Sequence, residues 1–378
     1  MGAQCRHPCV QSIRLLDDAA NEDAPLFLAI APVAPHSNVK IESLEENIED
    51  IVAEFSPPIP AERDTHLFED AKVPRTEKFN PEKPSGVNWV RNLPRPSQEN
   101  VDFKDHFYRS RLRVLQSVDE TVDGVISRLE KHGILDNTYV VYSTDNGYHI
   151  GQHRLQPRKE CGFEEDINIP LIIRGPGVPQ NATTEIVTTH TDLAPTFLKL
   201  AGAPLRADFD GEAIPLSQSG LADSKKTRQE HVNVEYWGFA LGEGKDWGGD
   251  RFYHNNTDKV LRIISDSYNF YYSVWCNNEH ELYDLKDDPG QLKDLLGGAD
   301  VSTLMGIPLR KARHVSGCGR HFTLQATWKI LTTHLRSASI TFMKRNRRRL
   351  SILAAKLVTS STPKARSSRK RPCQSLWQ

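Results

Sequence analysis

Acid is absent from one end of this chain. Residues 301–378 contain no Asp or Glu but 17 Lys or Arg, which leaves 31 basic against 49 acidic residues in 1–300. The net charge of -1 hides that split. No apolar run is long enough to cross a membrane, so no transmembrane helix is expected. The first residues, Met1-Gly-Ala-Gln-Cys-Arg-His-Pro8, lack the apolar core of a signal peptide. The six cysteines (Cys5, Cys9, Cys161, Cys276, Cys318, Cys373) form no Cys-x-x-Cys pair and no zinc spacing. They are enough for one or two disulfides, with partners that spacing does not give. Apolar content is low, at 38% with a mean hydropathy of -0.53, and 378 residues allow one large or two ordinary domains.

What is present is organised around Tyr139-Val-Val-Tyr-Ser-Thr-Asp145-Asn146-Gly147-Tyr148-His149. Val140 to Ser143 is short, apolar and β-branched, which predicts a buried parallel strand. In open α/β sheets ligands sit outside the carboxyl ends of strands. Asp145 and Asn146 offer hard oxygen donors there, suited to calcium or magnesium. Gly147 lets the backbone approach an ion closely. Asp-Asn-Gly is also ordinary turn chemistry.

Pro25-Leu-Phe-Leu-Ala-Ile-Ala31 predicts a second buried strand, running into Pro35-His36. A histidine so placed can donate to an anion or protonate a leaving group, or simply occupy a surface loop. Residues 41–100 read as an irregular excursion. Apolar residues at three- and four-residue spacing predict a helix from Phe107 to His132, stopped by Gly133 and feeding a parallel strand. The next loop carries His149, His153, Arg154, Arg158 and Lys159. It is either a set of anion donors, facing one sheet edge with His36, or a solvated charged loop. Pro170 to Gly177 predicts a strand closed by a turn. His190 to Gly202 predicts a helix capped by Thr191 or Asp192. From Val232 the period changes, and Val232–Trp237, Lys259–Ile264 and Tyr268–Trp275 predict antiparallel strands of a small α+β subdomain. Asn181-Ala-Thr and Asn255-Asn-Thr are glycosylation sequons.

Several stretches together resemble the sulfatases, most closely a fungal arylsulfatase and glucosamine-6-sulfatase-like branch. They are PLFLAIAPVAPHSN, YRSRLRVLQSVDETVDGVI, NTYVVYSTDNGYHIGQHRL, KECGFEEDINIPLIIRGPGV and HTDLAPTFLKLAGA, then VEYWGF and HELYDLKDDPGQ. The resemblance runs from residue 25 to about 296. It implies an alkaline-phosphatase-like α/β fold, a mixed sheet flanked by helices, with a small C-terminal antiparallel sheet. It also implies hydrolysis of aryl or sugar sulfate esters by a formylglycine made from the cysteine of Cys-x-Pro-x-Arg, helped by Ca2+ or Mg2+. By that resemblance Asp145 and Asn146 bind the metal. Lys159 binds sulfate, with Arg158 where the family has glycine and Phe163 and Glu164 completing the motif. His36 binds sulfate or serves as the acid. Roles for His149 and His153 do not follow.

Cys-x-Pro-x-Arg and an early pair of aspartates are missing from these residues, so the chain reads as an incomplete sulfatase, inactive by itself. A non-catalytic oxyanion- or carbohydrate-binding remnant is the alternative. The expected division is a partial catalytic domain at 1–227, an antiparallel subdomain at 228–300 and a basic tail at 301–378. The tail reads as a nucleic-acid or nuclear-targeting segment or as sequence from a shifted reading frame, and the second reading is preferred; it is expected to be disordered. Partners are therefore a sulfated small molecule or glycan, with no nucleic acid unless the tail is genuine. Family and sequons point to secretion or the endomembrane lumen, while the N-terminus shows no signal.

Overall fold

The computed structural model describes residues 6–41, 53–228, 230–243, 252–266 and 268–297, and short strands at 303–304 and 307–308. Its first part runs α1 (Arg6–Ala20), β1 (Asn38–Ile41), β2 (Ala53–Ser56), α2 (Gln98–Lys131), β3 (Val140–Ser143), α3 (Glu164–Ile167), β4 (Leu171–Arg174), α4 (Leu193–Leu200) and α5 (Gln218–Thr227). Then come β5 (His231–Tyr236), β6 (Ala240–Leu241), β7 (Phe252–Tyr253), β8 (Asp258–Ile264), β9 (Asn269–Trp275) and β10 (His280–Asp284). The chain divides into two compact units, 1–297 and 298–378. In the second, β11 (Thr303–Leu304) and β12 (Ile307–Pro308) pair antiparallel. The rest of the basic tail lies outside the described residues.

Helix α2 is the longest element. It begins nine residues before Phe107, because Ser97 caps it by accepting from the Asn100 N–H at 3.2 Å. Its first turns are polar but buried: Asn100, Lys104 and Asp105 all lie inside, which hides the helical period from an apolar count. Gly133, at φ +69°, ends it as expected. Helix α1, which no sequence pattern announced, lies along α2. Leu16 is buried, and Asp17 accepts from His132 Nε2 at 2.9 Å.

The two predicted buried strands come out differently. Pro25 to Ala31 pairs with no strand among the described residues, and Phe27 is 74% exposed and set edge-on to Phe197. An apolar run becomes a strand only where a neighbour takes its backbone N–H and C=O groups. β3 does form, but it pairs antiparallel with β4 rather than parallel to anything among the described residues. The connecting loop folds back so that the chain returns along β3, and Tyr142 and Ile172 stay exposed. The helix–strand step is therefore not half of a βαβ unit.

The antiparallel strands expected after Val232 are present as a four-stranded sheet, ordered β10-β9-β8-β5. Val260, Tyr271, Tyr283 and Leu285 form its core. The expected helix near residue 193 opens as a 3-10 turn, His190–Asp192, before α4. Thr189 caps that turn, and α4 itself starts from Asp192, one of the two expected caps, whose side chain makes no cap hydrogen bond to α4. Asp192 completes that capping box by accepting from the Thr189 N–H at 2.9 Å. Asp192 is also fully buried, accepting from Arg228 Nη2 at 2.6 Å and the Glu212 N–H at 2.8 Å.

Candidate functional site

The loop from Thr144 to Pro170 is the only connection between β3 and β4, and backbone contacts fix its shape. Gly147 N–H donates to Asp166 O at 2.8 Å, and Tyr148 N–H donates to Glu165 O at 2.7 Å. The approach is so close that a Cβ on Gly147 would sit 1.9 Å from Glu165 O, so only glycine fits. Next along the loop, His149 and Arg158 form a two-way backbone bridge. That rung brings Asn146 and Lys159 to the same end of the loop.

Asp145 is exposed. Its Oδ1 accepts from the Asn146 N–H at 3.0 Å. Asn146 donates through Nδ2 to Gly147 O at 2.6 Å, which leaves its Oδ1 as an acceptor. One carboxylate and one oriented carboxamide oxygen are hard donors that fit calcium or magnesium; two donors fall short of the six to eight oxygens calcium takes. Lys159 is half-buried and makes no hydrogen bond or ion pair with another described residue. His36 is half-buried, with Nδ1 bonded to Ser37 O at 2.9 Å, so Nε2 is its remaining ring nitrogen.

Arg111 of α2 links these parts. Its Nη1 donates to Pro35 O at 2.9 Å, and its guanidinium lies 3.7 Å from the Tyr148 ring centroid. Tyr148 donates to Glu243 Oε2 at 2.8 Å. One side chain thus joins the residue before His36 to the second residue after Asn146. Neither Arg111 nor Glu243 carried a sequence signal: Arg111 reads as the polar face of a helix.

The other donors expected at the edge are withdrawn into the protein. Arg154 spends its guanidinium on the carbonyls of Pro81, Glu82 and Leu93. Arg158 is 1% exposed, with its guanidinium 4.4 Å from the Trp89 ring centroid and 4.6 Å from that of Tyr253. His153 is buried, bonded to Ser85 through Nδ1 at 2.8 Å and stacked on Phe163, and burial drives its pKa down to about 3. His149 is buried, with Nδ1 2.8 Å from Asp166 Oδ1. Neither the anion-donor set nor the solvated loop describes these residues; they hold the loop from inside. The motif residues after Lys159 are structural too: Phe163 is core and Glu164 pairs with Arg262.

Three chemically different donors do meet in this loop. One ligand atom each from His149, Cys161 and Asp166 lies within 4.8 Å of the other two, all buried. Asp145 and Asn146 are not part of that cluster. Both sequon asparagines are exposed at positive φ, Asn181 at 49° and Asn255 at 59°.

A mixed α/β core with an antiparallel C-terminal sheet is an alkaline-phosphatase-like fold. The structure of the putative sulfatase yidJ from Bacteroides fragilis superposes with a TM-score of 0.55 at 18% identity, over 90% of this chain and 60% of that one. The sulfatase family model matches residues 10–203, and the model named N-sulphoglucosamine sulphohydrolase, C-terminal, matches 151–307. Sulfatase ppz1 of Metarhizium majus is 41% identical over 80% of this chain and 62% of its own length. The arylsulfatase of Chlamydomonas reinhardtii is 35% identical over 75% and 46%, and the bovine N-acetylglucosamine-6-sulfatase 30% identical over 78% and 52%. The chain belongs to the sulfatase family. It spans about half to three fifths of the length of these relatives.

Proposed function

We propose that these residues form the metal- and sulfate-binding part of a sulfuric ester hydrolase acting on aryl or sugar sulfates. The observation that carries this is Lys159, half-buried and without a hydrogen bond or ion pair to another described residue, one residue past the His149–Arg158 rung whose other strand leads back to Asn146 and Asp145. In this reading Asp145 Oδ2 and Asn146 Oδ1 hold Ca2+ or Mg2+, which when bound supplies positive charge for a sulfate oxygen. Lys159 donates to a second sulfate oxygen. His36, once protonated, gives its Nε2 proton to the leaving oxygen or binds sulfate with it. Arg111 keeps the His36 loop at the Tyr148 turn.

The names of relatives support the substrate classes, since they include arylsulfatases and N-acetylglucosamine-6-sulfatases. Another relative, 35% identical over 48% of this chain, is called a putative extracellular sulfatase Sulf-1 homolog, from Caenorhabditis elegans. With the exposed sequons it supports secretion or an endomembrane lumen, with N-glycans on Asn181 and Asn255.

These 378 residues contain no Cys-x-Pro-x-Arg, so the formylglycine nucleophile is not among them. That observation favours binding without turnover for this polypeptide alone. The test is hydrolysis of 4-nitrophenyl sulfate by the purified chain with calcium, after expression in a host that makes formylglycine. No release of nitrophenol above background is expected; turnover abolished by Lys159→Ala would show that a nucleophile exists here and refute the binding-only reading.

A further inference from the structure

We infer that His149, Cys161 and Asp166 form a second metal site, distinct from the Asp145–Asn146 turn and selective for a borderline divalent ion of the zinc class. The three side chains are brought together by the loop's own backbone. The His149–Arg158 bridge places His149 opposite the chain just before Cys161. Cys161 N–H then donates to Asp166 Oδ2 at 2.9 Å, and His149 Nδ1 lies 2.8 and 3.0 Å from the two Asp166 oxygens. The ligand atoms all fall within 4.8 Å of one another in a fully buried place, where an ion would be shielded from water.

The donor chemistry decides the ion. One imidazole nitrogen, one thiol sulfur and one carboxylate oxygen are the ligands zinc takes, with calcium excluded by the sulfur and the ring nitrogen. Cys161 is in no disulfide and is 5% exposed, so its sulfur is neither oxidised into a bridge nor open to bulk solvent. His149 Nε2 is buried without a hydrogen-bond partner, so the ring is not fully committed to the fold.

A second carboxylate stands behind the trio. Asp258 of β8 is 2% exposed, neither of its oxygens has a hydrogen-bond partner, and Oδ2 lies 3.1 Å from where a Cβ on Gly162 would be. A fourth donor, hard and without a hydrogen-bond partner, thus lies beside the trio. Binding exchanges the Cys161 thiol proton for a metal–sulfur bond, and that proton leaves to the buffer. This site does not depend on the sulfate-binding reading, since none of its ligands contacts sulfate in that reading.

Cobalt(II) is the probe, because a thiolate on Co2+ gives an intense ligand-to-metal charge-transfer band in the near ultraviolet. The purified full chain, dialysed against EDTA and then titrated with CoCl2, should show that band saturating at one ion per chain, and ZnCl2 should bleach it. Cys161→Ser or Cys161→Ala should remove it while Cys276→Ser and Asp145→Ala keep it. Circular dichroism checks that each variant is folded. Absence of the band in the folded parent chain overturns the site, as does a band that survives in a folded Cys161 variant. If neither Cys161 variant folds, His149→Gln must lower cobalt affinity at least tenfold, and an unchanged titration overturns the site.

Discussion

His149 and Arg158 exchange two backbone hydrogen bonds, His149 N–H to Arg158 O at 2.9 Å and Arg158 N–H to His149 O at 3.1 Å. The bridge closes the loop between β3 and β4 so that Asn146 lies three residues before the rung and Lys159 one residue after it. The proposed sulfate site depends on this closure and on what packs beneath it.

Gly147 is the tightest point. In Gly147→Ala the new Cβ meets Glu165 O, a backbone atom that cannot rotate away. Overpacking of this kind costs about 1–3 kcal/mol. Denaturant unfolding should show a loss of that size, and calcium binding should weaken with it. A variant as stable as the parent would mean the turn is looser than described.

Arg111 should matter to both stability and site. Arg111→Met removes the donor to Pro35 O and the cation above Tyr148 while keeping most of the side-chain volume. The loss of one hydrogen bond to a charged group is worth about 1.5–3 kcal/mol. Thermal unfolding should move downward accordingly. The nuclear magnetic resonance signal of the His36 ring should shift as well, and an unshifted His36 would separate the two loops.

Asp192 and Arg228 make a buried ion pair, with side chains 0% and 6% exposed. Asp192→Ala takes the carboxylate from the buried guanidinium, which keeps carbonyl acceptors such as Val187 O, and strips the acceptor from the Thr189 and Glu212 N–H groups. Breaking such a pair costs about 3–5 kcal/mol. Chemical denaturation should report a loss in that range, and a loss under about 1 kcal/mol would contradict the burial.

Much of this was legible in the sequence, for reasons that differ by element. The C-terminal strands were legible as runs rich in β-branched and aromatic residues, and β8, β9 and β10 are buried along most of their length. α2 was legible from Phe107 onward but not from Gln98, since its buried polar residues imitate a surface. The 25–31 run and β3 misled because apolar composition reports burial preference and not which strand, if any, lies alongside. In the loop, Arg154, Arg158, His149 and His153 have the composition of an anion site; only packing shows that they are spent on carbonyls, aromatic faces, Ser85 and Asp166. Asp145, Asn146 and Lys159 came from the resemblance to the sulfatases, and their roles rest on the proposal made above.

Lys104 supplies a pH signature. It is fully buried, its Nζ has no hydrogen-bond partner, and burial lowers its pKa to about 7 from 10.5. The unfolded chain therefore binds more protons than the folded one between about pH 7 and 10.5, and stability from this group rises with pH across that window. Below pH 7 its full penalty applies. Lys104→Met should stabilise the protein most at or below pH 7, by about 1–3 kcal/mol, with the gain shrinking toward pH 10. Unfolding curves at pH 6, 8 and 10 check the trend, and a gain that is flat or grows with pH would contradict it.

The most direct test of the site is calorimetric titration of the purified chain with sodium sulfate in the presence of calcium, beside Lys159→Ala. A charge-assisted contact of about 1.5–3 kcal/mol corresponds to roughly a ten- to hundredfold change in affinity. The account predicts saturable sulfate binding that Lys159→Ala weakens at least tenfold with no change in melting temperature. Equal affinity in the two proteins, or no binding by the folded parent, would contradict it.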